Sequence, residues 1–135
     1  MEINGRTAKT IFGGSAPKQT DGSSWHNSDG ILDNWSKREW SDGLQIGSLE
    51  DLDCLCVQTE NNTYEITVLS RHTGEVMVRG GQFFPERTPV HLAGSSLGGS
   101  FLKLRGIYLG FNLEFQFDGR RIVTSRVKSI GMVVE

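Results

Sequence analysis

At 135 residues the chain suits one domain, in which ~65–70 % of the unfolded surface can be buried. Seventeen glycines against three prolines point to short strands and many turns, and the net charge of −2 excludes a uniformly basic nucleic-acid module. No apolar run approaches the ~18–20 residues of a membrane-spanning helix, and the first residues carry no apolar signal core. A cytoplasmic protein with no membrane partner is expected.

The overall charge conceals a division. Residues 1–70 hold five basic and eleven acidic side chains, giving −6; residues 71–135 hold nine and five, giving +4. Such a split fits an acidic arm beside a basic face.

From Gly13 to Gly30, "GGSAPKQTDGSSWHNSDG", the one large apolar residue is Trp25. So little burial does not offset ordering entropy, so residues 1–46 are read as a flexible N-terminal arm. Within it, Ile31, Leu32, Trp35 and Trp40 fit one side of a short helix over 31–41, with Asp29 as cap and Gly43 as stop. Trp35 and Trp40 are expected to pack on a β surface, in their own barrel or by self-association.

A single β domain is expected over 47–135. "DCLCVQT" and "NTYEITVLS" alternate with period two around Glu60-Asn61-Asn62, a hairpin signal. "EVMVRG" is a third strand, and "TPVHLAG" a fourth, edge-like because of Pro89. Ile107, Leu109, Phe111, Leu113, Phe115 and Phe117 alternate without a miss and read as one long strand. Asp118-Gly119 turns that strand into "RRIVTSRVKSIGMVVE", with Phe115 facing Ile122. Leu102 and Leu104 have the opposite parity, so the chain bends near Arg105-Gly106. These elements predict a mainly β fold: a small, strongly bent antiparallel barrel of six to seven strands.

"HLAGSSLGGS" (91–100) offers the chemistry. Gly94-Ser95-Ser96-Leu97-Gly98 matches the G-x-S-x-G of nucleophile elbows, which would make Ser96 an esterase-like nucleophile. The elbow needs a helix after the serine and a later histidine; a strand-like segment follows, and His26, His72 and His91 all precede Ser96. Gly94 and Gly99 also have phosphate-loop spacing, but Ser100-Phe101 replaces the Lys and Ser/Thr of that motif. A surface turn is the simpler expectation.

An anionic ligand, a phosphate or nucleic acid, would be held by Ser95, Ser96, Gly98 and Gly99 with Lys103 and Arg105, extended by Arg120 and Arg121. Arg126 and Lys128 continue the basic strand, and Tyr108 and Phe101 are the expected aromatic platform. Cys54 and Cys56 share a strand face without the partners of a zinc site, so they are read as core residues. No cofactor is expected.

From Leu49 to Ile130 the chain resembles small bacterial β-domains of uncharacterised function, on "VQTENNTYEITV", "VMVRGGQFFPE", "LAGSSLGGSFLKL", "GFNLEF" and "DGRRIVTSRVKSI". That resemblance implies a fold and no activity. It also resembles, more distantly, PilZ domains, barrels that bind cyclic dinucleotides. Ser96 and Gly99 have their S-x-x-G spacing, but Gly94 stands where an acidic or amide residue belongs. The Arg-x-x-x-Arg pair is missing too, with Arg71, Arg79 and Arg87 eight apart. The expected function is therefore a non-enzymatic binding or interaction module, with phosphate, nucleotide or nucleic-acid binding as the sharper alternative and a Ser96 esterase as the remaining one.

Overall fold

The computed structural model describes residues 2–3, 6–13, 42–97 and 101–134. The helix expected over 31–41, its tryptophans, and Gly98 and Gly99 lie outside these residues.

Local hairpins build most of the sheet. Strands β4 (Cys54–Thr59) and β5 (Thr63–Ser70) join at Glu60-Asn61-Asn62, where the Thr59 hydroxyl donates to the Asn62 carbonyl at 3.0 Å and accepts its N–H at 3.1 Å. The register sets Leu55 against Ile66 and Val57 against Tyr64, all buried. β6 (Glu75–Gly80) follows and places Val76 and Val78 inside.

The next strand corrects two expectations. β7 runs unbroken over Phe84–Ser96, so Gly94-Ser95-Ser96 ends a strand and is not a turn. Nor is β7 an edge, since it pairs with β6 through Phe84 to His91 and with β10 (Asn112–Phe117) through His91 to Ser96. Pro89 is tolerated because its β10 side lies beyond the last pair, Gln116 with His91, where no ladder N–H is needed.

β8 (Leu102–Leu104) and β9 (Gly106–Tyr108) meet at Arg105, whose φ of 55° makes the expected bend. The alternation from Ile107 to Phe117 is not one strand. A turn at Leu109-Gly110, with Gly110 at φ 84°, separates β9 from β10. β9 instead pairs with β3 (Gly43–Gln45), adding Ile107 and the neighbouring Ile46 to the core. Phe111 joins Tyr108 in a separate cluster, while Leu113 and Phe115 enter the main core as expected.

β11 (Arg120–Val134) closes the structure. It pairs with β10 through the Asp118-Gly119 turn, placing Phe115 opposite Ile122, and then with β4 from Val127 to Met132. The pairings form a ring, β4-β5-β6-β7-β10-β11 and back to β4, a barrel of six strands among the described residues. β11 outlasts β10, and its free edge from Ser129 to Val134 takes up β2 (Arg6–Gly13), with β1 (Glu2–Ile3) beyond it. The sheet thus begins inside the region assigned to the arm. Over residues 8–13 only Ala8 is buried, so the pattern is faint, and the strand's place comes from the backbone edge that β11 offers.

Phe84 and Phe115 meet edge to face at 5.7 Å in the barrel interior, surrounded by fully buried Leu55, Ile66, Leu92 and Leu113. Side chains fill a barrel of this size.

Candidate anion-binding face

The serines of the G-x-S-x-G stretch are sealed. Ser95 and Ser96 are 0 % exposed. Ser95 Oγ donates to the Gly106 carbonyl at 2.7 Å and accepts the Tyr108 N–H at 3.2 Å, tying β7 to β9. Ser96 Oγ is the one buried side-chain polar atom without a hydrogen-bond partner among the described residues. An activated nucleophile is hydrogen-bonded to its base, and Ser96 has none. Lys103 is half-buried and Arg105 exposed on its turn.

The buried carboxylate Glu65 takes two cations of the basic half out of play. Arg79 reaches one oxygen at 3.3 Å and Arg87 the other at 3.4 Å. Cys54 Sγ donates to the same carboxylate at 3.7 Å. Burial pushes the Cys56 thiol above its usual range, helped by Cys54 and Glu65. Among the described residues no three His, Cys, Asp or Glu gather where a metal would sit.

β11 carries a different arrangement. Asp118 (φ 55°) and Gly119 (φ 74°) make the tight turn that sets Phe117 opposite Arg120 and Gln116 opposite Arg121. Further on, Glu114 faces Val123 and Asn112 faces Arg126, so β11 has one residue more than β10 over that span. This bulge returns Arg126 to the outer face, where normal alternation would have turned it inward. Arg120, Arg121, Arg126 and Lys128 are all exposed. Among the described residues, no carboxylate lies within 4.0 Å of Arg120, Arg126 or Lys128. Arg121 meets the buried Glu114 at 3.9 Å.

One end of this strip has an aromatic wall. Gly80 lies so close to β5 that a Cβ would fall 2.2 Å from the Thr63 carbonyl oxygen, and its φ is 144°. That tight passage leads into Gly81–Phe83 and leaves Phe83 52 % exposed while Phe84 is buried. Phe83, Phe117, Arg120, Arg121, Ile122 and Val123 line a cleft of about 190 Å³.

No protein-family model, curated protein or solved structure matches this chain.

The predicted site is therefore divided. Ser96 pairs with Asn112 at one end of β10 and Arg121 with Gln116 near the other, roughly 13 Å apart at ~3.3 Å per residue. Tyr108 is 3 % exposed and Phe101 half-buried beside it, so neither offers an open ring face. Phe83 takes that place. Phe83 lies in the turn before β7, outside any strand period, so no periodic signal in the sequence marks it. No helix of the described residues is long and apolar enough to cross a membrane.

Proposed function

We propose that this barrel is a non-enzymatic binding module whose outer β11 face holds a polyanionic ligand. The observation that carries the reading is a set of exposed cations with no carboxylate partner among the described residues: Arg126 and Lys128 on the outer face of β11, and Arg120 beside the turn on the side of Phe117, in an otherwise acidic protein. Surface cations are ordinarily interspersed with acids. A strip held in register by a tight turn and a bulge, and left without them, favours an external anion.

Heparin, a polyanion with no bases, tests this directly. Binding is expected at low salt, with log K falling linearly against log salt concentration as counterions are released. The double substitution Arg126→Glu/Lys128→Glu is expected to weaken it at least tenfold without moving the melting temperature. Absence of low-salt binding, or binding indifferent to the double substitution, would dismiss the reading.

A further inference from the structure

We infer that the ligand of this face is a single-stranded nucleic acid, with one base stacked on Phe83 and its backbone following Arg120, Arg121, Arg126 and Lys128. The inference rests on the polyanion reading and gives it a chemical class. Arg120 to Lys128 is a run of nine residues of β11, eight steps or roughly 26 Å at ~3.3 Å per residue. A lone phosphate or mononucleotide cannot engage both ends of such a strip, whereas a chain of phosphates can.

The cleft at the turn asks for something a plain polyanion lacks. Phe83 is an exposed ring, Phe117 is half-buried behind it, and Ile122 and Val123 complete an apolar lining next to two guanidinium groups. A flat apolar face joined to an anion satisfies both halves, and an unstacked base with its phosphate has that composition. A duplex hides its base faces and leaves Phe83 unused. Asp118, exposed at the turn, lines the neighbouring cleft with Gln116, Phe117 and His91. Its carboxylate repels phosphate on that side and directs the strand along β11.

The test uses the full chain and fluorescence anisotropy. The probes are labelled oligothymidylate and oligouridylate of about twelve nucleotides, a duplex of equal length, and heparin as competitor. Phe83→Ala is expected to lower affinity for both oligonucleotides roughly five- to a hundredfold and to leave heparin affinity unchanged. Phe83→Trp restores oligonucleotide binding. Four phosphate contacts predict a log–log salt slope of roughly −3. Because Phe83 is exposed, each variant should melt with the wild type, and that is checked alongside. Duplex bound as tightly as single strand, or a Phe83→Ala effect that is nil or equal for heparin, overturns this inference while the polyanion reading stands. Failure of every polyanion to bind defeats both.

Discussion

Gly94 lies directly against Lys103: a Cβ at Gly94 would stand 2.1 Å from the Lys103 carbonyl oxygen. The close approach comes from the β7–β8 pairing, in which Gly94 faces Leu104 and Ser95 faces Lys103. This glycine therefore does not serve a nucleophile turn. It lets a neighbouring backbone cross the sheet.

Gly94→Ala is expected to cost roughly 3 kcal/mol or more, since the methyl meets backbone and the φ of 146° disfavours any side chain. Gly119→Ala is the control. Its φ is 74°, but nothing lies within 4 Å of the added carbon, so only the conformational cost of about 1–2 kcal/mol remains. Denaturant midpoints of the two variants measure the difference, and equal midpoints would refute the close-approach account.

The core is tested at Phe115, which is fully buried between Phe84 and Tyr64. Phe115→Ala is expected to lose about 3–5 kcal/mol, enough to unfold a marginal domain. Leu104 belongs to the same apolar class but is 64 % exposed, and Leu104→Ala should stay within about 0.5 kcal/mol of wild type. Similar losses at both positions would contradict the assignment of inside and outside.

Local signals carried the fold a long way. Asp118-Gly119 turns through left-handed backbone at both residues, whereas Glu60-Asn61-Asn62 turns without it, closed by the Thr59 hydroxyl on the Asn62 backbone; both lie between alternating runs that had to pair. Ring closure was not legible, because the pairing of Val127–Met132 with Leu55–Thr59 joins segments about half the chain apart. The break at Leu109-Gly110 was hidden, since an alternation of side chains persists across a turn that keeps parity. The site was harder. Arg120 and Arg121 are visible as charges, but the bulge that turns Arg126 outward depends on β10, and Phe83 is one residue in a connection.

Alkaline pH should destabilise the protein in two stages. In the unfolded chain Cys56 and Tyr64 ionise in their usual ranges, near ~8.5 and ~10. Burial raises both in the fold, so the native state holds more protons than the unfolded state there. The stability they contribute is complete below the thiol range and is lost as pH rises through it and then through the phenol range. Melting curves of wild type and Cys56→Ala should converge as pH climbs past the thiol range. Tyr64→Phe should flatten only the later fall. Parallel pH profiles for all three proteins would exclude these two groups as the cause.

The last test separates two adjacent serines that the sequence motif treats alike. Ser95 Oγ satisfies the Gly106 carbonyl and the Tyr108 N–H, so Ser95→Ala leaves two buried backbone groups wanting a partner. A loss of about 1–3 kcal/mol is expected. Ser96 Oγ is buried with no partner among the described residues, which leaves its desolvation uncompensated there. Ser96→Ala removes that polar atom at almost constant shape, so it should be neutral or raise stability by about 1 kcal/mol. The same pair decides the esterase question. A fluorophosphonate probe should label neither serine in the folded protein, because one hydroxyl is engaged and both are sealed from solvent. Labelling of wild type that disappears in Ser96→Ala, together with a drop in stability of that variant, would restore Ser96 as a nucleophile and reverse the present assignment of the motif to strand packing.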